Sequence, residues 1–326
     1  MIIICVESSH ARGMGHVYRM SYLAAEMQKR GLNFCFVVNP DIAALELLSA
    51  KHFPKITVDF ESSDWQRIIL KAHDVKLWID DRMETDAHHS MILISHNIPI
   101  VTFDNVGPGA AFANLSIYGM AYRKQNNLQG KKILSGLKWN LIDPQIYRFR
   151  RQRTEMRSLV ITFGGTDTYG MTPELYGAVR DIYPNITIVT GPGFQHHSQL
   201  QACIDEKPQM NLQWKKNVPS LAEEFALHDL AITAGGVTPF EANAAGLPCF
   251  IVATEPHEID NAKFLAPLGG SIYAGFRHEF DRDIVRNKPN IAEMSNRAMS
   301  AIPDGAAERI LAEILKLLPR LPKAPV

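Results

Sequence analysis

His16 and Arg19 belong to a short segment whose residue types can transfer a proton and bind an anion. Two glycines, Gly13 and Gly15, precede them, and an amphipathic pattern beginning at His16 predicts a helix that ends before Gly31. The positive end of a helix dipole disfavours a protonated, positively charged imidazole. A histidine at this position can therefore be neutral and act as a general base. Arg19 lies on the same helix face and can bind an anion. The same spacing is equally expected of a histidine that caps the helix and an arginine on its surface, without any catalytic role.

Three aspartates end two predicted strands of the same half of the chain. Asp80 and Asp81 follow the strand predicted over Val75–Ile79, and Asp104 follows Ile100–Phe103. Because the carboxyl ends of parallel strands meet at one edge of a sheet, these side chains can orient water, bind hydroxyl groups or hold a metal ion. No His/Asp spacing typical of a metal site lies nearby, and we expect no metal.

Two glycine turns follow predicted strands in the second half of the chain. They are Gly164-Gly165-Thr166 and Gly235-Gly236-Val237-Thr238. Glycine lets the backbone approach a phosphate group closely, and the following helix offers unpaired N–H groups. A tight strand-to-helix turn needs glycine in any case, but two such turns in one half favour a phosphate ligand. Neither turn matches the Walker or GxGxxG pattern, which argues against ATP hydrolysis and dinucleotide binding.

Glu241 lies five residues beyond Gly236, in the first turn of a helix predicted over Pro239–Ala245. A carboxylate at this place can accept hydrogen bonds from both hydroxyl groups of a ribose. An acidic residue is also favoured in a first helical turn by the helix dipole alone, so both explanations stay open.

The order of predicted elements places these residues in two α/β domains. Strands and helices alternate from Ile2 to Ile117 and again from Leu159 to Leu318, and the pattern weakens between them. We therefore expect two Rossmann-like domains, residues 1–150 and 151–326, with a ligand cleft between their carboxyl edges. The arginine run within residues 148–153 is predicted to be a solvated helix face rather than a phosphate patch.

Composition excludes several classes of protein. The chain has 326 residues, 46% of them hydrophobic, and its 34 basic and 34 acidic side chains give zero net charge. This balance argues against disorder, nucleic-acid partners and anionic membranes. The four cysteines form no CxxC pair. No apolar run reaches the length of a membrane span, so we expect a cytoplasmic protein without membrane insertion.

Taken together, the motifs resemble the PseG/SpsG-type nucleotide-sugar hydrolases, relatives of the MurG-like glycosyltransferases of GT-B fold. Residues 8–19 resemble the GxGHxxR signature of that family, residues 163–167 its GGTD turn, and residues 234–248 its GGxxxxE…GxP block. The resemblance touches both halves of the chain.

The resemblance implies a function. The second half would bind a nucleoside diphosphate, expected to be UDP, through the two glycine turns, with Glu241 on the ribose. His16 would activate water to cleave a UDP-linked deoxyamino sugar, as in the hydrolase of pseudaminic acid biosynthesis, without metal or cofactor. The implied product is free sugar for nonulosonic-acid or surface-polysaccharide biosynthesis. The catalytic candidates are His16, Asp80 and Asp81. The substrate-binding candidates are Gly13, Gly15, Arg19, Asp104, Gly164, Gly165, Thr166, Gly235, Gly236, Val237, Thr238, Glu241, His257, Glu258 and Asn261.

One pair departs from the family pattern. His257-Glu258 stands before Asn261 where the family has Asn-Gln, which replaces two amides with an imidazole and a carboxylate. The departure leaves the sugar open. It also keeps a second function open, a GT-B glycosyltransferase that moves the sugar from a UDP-sugar to a hydroxyl acceptor. A nucleotide-sugar binding protein without catalysis is a third reading.

Overall fold

The structure, a computed structural model, describes residues 1–8, 14–119, 128–218 and 220–318. The chain forms two compact units. Unit 1 comprises Met1–Leu141 together with Gly305–Val326, and unit 2 comprises Ile142–Asp304.

Unit 1 is built on a parallel sheet. Its strands are β1 (Ile2–Val6), β2 (Phe34–Val38), β3 (Lys55–Thr57), β4 (Leu77–Asp81), β5 (Ile100–Phe103), β6 (Leu115–Tyr118) and β7 (Ile133–Ser135). Among the described residues they form one seven-stranded sheet in the order β3-β2-β1-β4-β5-β6-β7. The apolar runs of β1 and β2 are fully buried, as expected where helices cover both faces of a parallel sheet. The strand order reverses between β1 and β4.

Helices follow most strands of unit 1. They are α1 (Gly15–Lys29), α2 (Ile42–Ala50), α3 (Trp65–Ala72) and α4 (Ala87–Ser95). Helix α1 buries Val17, Met20 and Leu23 against the core of the unit, at the spacing that its amphipathic pattern predicts. This packing fixes the rotation of α1, and with it the direction of the side chains in its first turn.

Unit 2 repeats the same architecture. Its strands are β8 (Leu159–Thr162), β9 (Ile186–Thr190), β10 (Leu212–Lys216), β11 (Leu230–Thr233), β12 (Cys249–Ala253) and β13 (Ser271–Phe276). In the part of the chain that the structure describes, they form a six-stranded parallel sheet in the order β10-β9-β8-β11-β12-β13. The order reverses between β8 and β11.

Unit 2 carries eight helices among its described residues. They are α5 (Gln145–Arg148), α6 (Met171–Val179), α7 (His197–Glu206), α8 (Leu221–Leu227), α9 (Thr238–Ala244), α10 (Pro256–Leu265), α11 (Arg282–Arg286) and α12 (Ile291–Ala301). None of the helices that the structure describes is long and apolar enough to cross a membrane.

The last helix, α13 (Ala306–Leu315), corrects the predicted domain ranges 1–150 and 151–326. Its apolar face, with Ile310, Leu311 and Ile314, packs into the core of unit 1 beside α1. The chain therefore returns to unit 1 at Gly305, and unit 2 begins at Ile142. The amphipathic pattern predicts the helix but cannot say which core its apolar face completes.

The predicted solvated helix face at residues 148–153 is wrong. Helix α5 ends at Arg148, and Arg153 is completely buried. Its guanidinium donates to the carbonyl oxygens of Phe225 (2.5 Å), His228 (3.1 Å) and Ala245. The buried arginine therefore satisfies backbone acceptors near the ends of α8 and α9.

Candidate functional site

The point in unit 1 where the strand order reverses brings β1 and β4 side by side. Val6, at the end of β1, is in register with Asp81, at the end of β4. The chain after β1 leads into α1, so the first turn of α1 lies over the end of β4. Open parallel sheets bind ligands in the crevice at this position.

His16, Arg19, Asp81 and Asp104 form one network in that crevice. His16 Nδ1 lies 2.8 Å from Asp81 Oδ1, and Arg19 Nε donates to Asp81 Oδ2 at 2.6 Å. Arg19 also donates to Asp81 Oδ1 through Nη2, and to Asp104 Oδ2 through Nη1 at 2.5 Å. Both carboxylates are buried, whereas 14% of the His16 side chain is exposed. The imidazole and the Arg19 side chain, which is 12% exposed, are thus the two members of the network that reach the surface.

Whether Asp81 is ionised determines whether it can accept a hydrogen bond from His16 and orient the imidazole as a base. Burial alone would raise the pKa of Asp81, but Arg19, and after it His16, outweigh burial and hold this pKa below its usual range. An ionised Asp81 accepts the hydrogen on Nδ1 of His16, which leaves Nε2 with a free lone pair. This arrangement suits a general base whose ring is oriented by a carboxylate.

Asp80 and Asp81 point to opposite faces of β4, because successive side chains alternate along a strand. Asp80 Oδ1 accepts from Arg82 Nε at 2.6 Å, and Asp80 Oδ2 lies 2.5 Å from His89 Nε2. Arg82 and His89 hold the pKa of Asp80 far below its usual range although burial opposes them. Of the two candidates, Asp81 contacts His16 and Asp80 belongs to a separate buried network.

Three other candidates of unit 1 were expected to bind the substrate. Gly15 is the first residue of α1, and Gly13 lies outside the described residues. Arg19, expected to bind an anion, instead has two protein carboxylates against its guanidinium.

The first glycine turn of unit 2 follows β8 at the reversal of strand order. A Cβ added to Gly164 or Gly165 would meet nothing within 4 Å, and Gly164 has φ +72°, a conformation that favours glycine. The Gly165 carbonyl accepts from Gly193 N at 2.9 Å. Thr166 is exposed, with its hydroxyl 3.1 Å from that of Thr168. This turn presents backbone and hydroxyl groups to open space.

The second glycine turn follows β11 and packs against α10. A Cβ on Gly235 would lie 2.7 Å from Glu258 Cβ, so glycine is needed there for close packing. At Gly236 the nearest atom would be Glu258 Oε1 at 3.3 Å. The turn continues through Val237, which is partly exposed, to Thr238, the first residue of α9.

Glu258 and Asn261 of α10 hold this second turn. Glu258 Oε2 accepts from the backbone N–H groups of Thr254 (2.7 Å) and Glu255 (3.3 Å), which caps α10. Asn261 Nδ2 donates to the Gly235 carbonyl at 2.9 Å. Both side chains are buried, whereas the neighbouring His257 is exposed. The residues expected to grip a sugar thus also fix the backbone of the glycine turn.

Glu241 lies in the first turn of α9 and is partly exposed. Burial of the carboxyl group, and to a smaller extent the nearby Asp143, raises the pKa of Glu241 to about 7. Among the described residues its carboxylate has no hydrogen-bond donor, which leaves both oxygens for a ligand. Sequence reasoning missed Asp143, because it lies in the segment between the domains where the predicted pattern is weak.

Sequence reasoning also missed Tyr169, Glu255 and Arg277, which meet at the carboxyl edge of unit 2. Arg277 follows β13, a strand that the apolar pattern did not predict, so no signal placed it at this edge. In the described part of the chain, no three His, Cys, Asp or Glu side chains are grouped so that they could hold a metal ion.

Sequence comparison finds relatives of limited identity. The chain is 26% identical over 314 residues to the spore coat polysaccharide biosynthesis protein SpsG of Bacillus subtilis, covering 92% of this chain and 89% of SpsG. It is 26% identical over 270 residues to an uncharacterized protein of Methanocaldococcus jannaschii, which covers 77% of this chain. That match spans 55% of the archaeal protein. No protein-family model matches the sequence.

Solved structures share the fold at lower identity. Acinetobacter baumannii MurG has a TM-score of 0.72 and 16% identity, over 97% of this chain and 99% of MurG. Anabaena HepE in complex with UDP has a TM-score of 0.67 and 14% identity, over 98% of this chain and all of HepE. The spinosyn rhamnosyltransferase SpnG has a TM-score of 0.64 and 15% identity, over 97% of this chain and all of SpnG.

These comparisons confirm the predicted fold class. The chain has two parallel-sheet α/β domains that match glycosyltransferase structures of GT-B fold. By sequence the chain is similar to SpsG, and by fold it is similar to glycosyltransferases.

Proposed function

We propose that the protein is an enzyme that hydrolyses a UDP-linked deoxyamino sugar, with His16 as general base. The observation that carries the proposal is the His16–Asp81 pair, in which a buried carboxylate contacts Nδ1 of a histidine side chain that is 14% exposed. The pair lies where an open α/β sheet binds its ligand. The resemblance to nucleotide-sugar hydrolases, the SpsG relative and the UDP complex of HepE support the choice of substrate.

In the proposed reaction, His16 Nε2 takes a proton from water while the water oxygen attacks the anomeric carbon of the sugar. The bond between that carbon and the diphosphate oxygen breaks, and its electron pair leaves with UDP. The products are free sugar and UDP, and the proton on His16 returns to solvent. Asp81 stabilises the imidazolium, Arg19 keeps Asp81 ionised and in place, and Asp104 holds the guanidinium of Arg19. Neither a metal ion nor a cofactor is part of the proposal.

We assign the binding of the nucleotide to unit 2. The backbone of Gly164–Thr166 and of Gly235–Thr238 would donate hydrogen bonds to the diphosphate, which spreads the charge of the leaving group without a lysine cluster. Glu241 would accept from the ribose hydroxyl groups. His257 and Glu258, beside the second turn, are the candidates nearest the sugar. Asp80 has no step, because its side chain lies on the other face of β4.

A glycosyltransferase is the second candidate function, favoured by the likeness to SpnG and to other structures of this fold. The same His16 would then deprotonate an acceptor hydroxyl instead of water. Either activity suits a step of surface-polysaccharide or nonulosonic-acid biosynthesis. We propose the first context because SpsG is a spore coat polysaccharide biosynthesis protein, and the second because the motifs resemble those of the pseudaminic acid hydrolase.

Incubation with a panel of UDP-sugars in the absence of an acceptor tests the proposal, with the products followed by NMR. We expect rapid release of free sugar by the wild-type protein and loss of release in His16→Ala, with UDP affinity within about threefold of wild type because no binding contact is removed. The control is His73→Ala, an exposed histidine at the end of α3. Turnover retained by His16→Ala would contradict the mechanism, and slow release that an added hydroxyl acceptor accelerates would favour transfer.

A further inference from the structure

Arg277 adopts a backbone conformation that is uncommon for a residue with a side chain. Its φ of +45° lies in the left-handed region, which non-glycine residues rarely adopt. The residue directly follows β13, at the carboxyl edge of the unit 2 sheet. Backbone strain of this kind persists where surrounding contacts hold it, and it is frequent at ligand sites.

The guanidinium of Arg277 contacts two loops at once. Its Nε donates to the Thr254 carbonyl at 2.6 Å, and its Nη2 donates to the Tyr169 hydroxyl at 2.8 Å. The guanidinium carbon lies 3.8 Å from the centre of the Tyr169 ring and 4.7 Å from that of Phe276. The Tyr169 hydroxyl in turn donates to Glu255 Oε1 at 2.8 Å. A lysine cannot reproduce this set, because its ammonium has neither the planar fork nor the stacking face.

Each of the two loops is connected to one of the glycine turns, one along the chain and the other through helix α10. Tyr169 lies in the segment that begins with Gly164 and Gly165 and leads to α6. Thr254 and Glu255 form the cap of α10, whose side chains pack on and bond to the second turn at Gly235. Arg277 therefore completes a chain of contacts that runs from one glycine turn to the other.

We propose that Arg277 is a positioning residue that holds the two glycine turns of unit 2 in the shape that accepts a diphosphate. The inference rests on the proposed function, in that the ligand is a nucleoside diphosphate. Loops that are ordered before binding lose less conformational entropy when the ligand arrives, so the contacts of Arg277 raise the affinity. The gain in affinity is expected for the diphosphate, since the turns offer backbone groups to phosphate oxygens. The affinity for a nucleoside without phosphates should depend less on Arg277.

Titration calorimetry with UDP and with uridine tests this role in Arg277→Gly and Arg277→Lys. Glycine tolerates the left-handed backbone, so Arg277→Gly removes the guanidinium without adding strain. We expect it to weaken UDP binding about tenfold, because the glycine turns lose the two hydrogen bonds and the ring contact that order them before binding, and to weaken uridine binding less than threefold. Arg277→Lys should resemble Arg277→Gly, because the charge stays but the contacts do not. Arg282→Ala, an exposed arginine of the same region, is the control and should bind UDP like wild type.

A conservative variant keeps the test valid if Arg277→Gly unfolds. Tyr169→Phe retains the ring and loses only the hydroxyl, and we expect about threefold weaker UDP binding, with no further loss when it is combined with Arg277→Gly. Wild-type UDP affinity in Arg277→Gly or Arg277→Lys, or an equal loss for UDP and uridine, would overturn the inference. A wild-type protein that fails to bind UDP would instead contradict the proposed function.

Discussion

Both units of the protein carry their candidate residues where the order of the strands reverses, but the two crevices differ in chemistry. The crevice of unit 1 contains a network of ionisable side chains, with Asp81 at its centre between His16 and Arg19. The crevice of unit 2 contains glycine turns whose backbone meets open space at Gly164 and Gly165. One arrangement suits the movement of a proton and the other the binding of an anion by amide groups.

The two crevices also differ in how far their carboxylates have partners within the protein. In unit 1 the buried carboxylates have their partners within the protein, as buried charges require. In unit 2 the carboxylate of Glu241 has no donor among the described residues, and its raised pKa reflects that environment. The hydrogen-bonded carboxylates of unit 1 can hold the imidazole of His16 in one orientation. The carboxylate of Glu241, in contrast, is available to accept hydrogen bonds from a substrate.

The largest effect is expected from Asp81→Asn. The amide removes the acceptor that fixes the Nδ1 hydrogen of His16, so turnover should fall by roughly 10²- to 10⁴-fold. UDP affinity should stay within about threefold, because Asp81 contacts only residues of unit 1 in the described structure. Initial rates of sugar release and calorimetry of UDP binding separate the two effects.

Asp80→Asn is the matched control for this prediction, one residue earlier on the same strand. It should leave turnover within a few-fold of wild type but lower the free energy of unfolding by about 3 kcal/mol, because Arg82 and His89 lose a buried partner. If Asp80→Asn abolished turnover as fully as Asp81→Asn, the assignment of chemistry to one face of β4 would be wrong.

A smaller effect is expected from Gly165→Ala. An added Cβ meets nothing within 4 Å in the protein, so thermal stability should not change. The methyl group would, however, occupy the space through which a phosphate approaches the backbone, and UDP affinity should fall about tenfold, the loss of one charged hydrogen bond. Turnover at saturating substrate should be preserved.

Gly177→Ala controls for the loss of a glycine, because Gly177 lies within α6 and its Cβ would also meet nothing within 4 Å. It should stabilise the helix by up to about 1 kcal/mol and leave UDP binding unchanged. Normal UDP affinity in Gly165→Ala would remove the first glycine turn from the binding site and leave the second turn alone.

The smallest effect is a pH dependence that arises from Glu241. Its pKa is about 7 in the folded protein against an ordinary value of 4.5, so the folded state binds more protons between these pH values. The free energy of unfolding therefore falls as the pH rises from about 4.5 to 7, and Glu241→Gln should remove that slope. Denaturant titrations of both proteins between pH 4 and 8 measure it.

Uridine binding gives a second measure of Glu241, since uridine has no phosphate that titrates. Its affinity for the wild-type protein should increase a few-fold as the pH rises through about 7 and the carboxylate forms. Asp143→Asn should move this increase to lower pH, because Asp143 contributes to the raised pKa. A pH-independent affinity would place the ribose away from Glu241.

Much of the fold could be predicted from the amino-acid pattern. Buried parallel strands such as β1 and β11 are continuous apolar runs, and helices such as α1 show a clear apolar face. The strands β3, β7 and β13 escaped prediction because they lie at sheet edges, where part of the side chains faces solvent and the pattern is weaker.

In the candidate site, too, some features follow from the local sequence and others depend on tertiary contacts. Local pattern was enough to place His16 at the start of a helix, glycines after two strands, and acidic residues at the ends of two others, because each of these is a property of neighbouring residues. The meeting of His16 with Asp81 rather than Asp80 depends on the folded chain, since the pleat of β4 sends the two side chains to opposite faces. Tertiary structure also decided that α13 completes the core of unit 1 and that Arg277 links the two glycine turns. These contacts join residues that are distant along the chain. They are determined by the packing of separate elements, which a local sequence pattern does not specify.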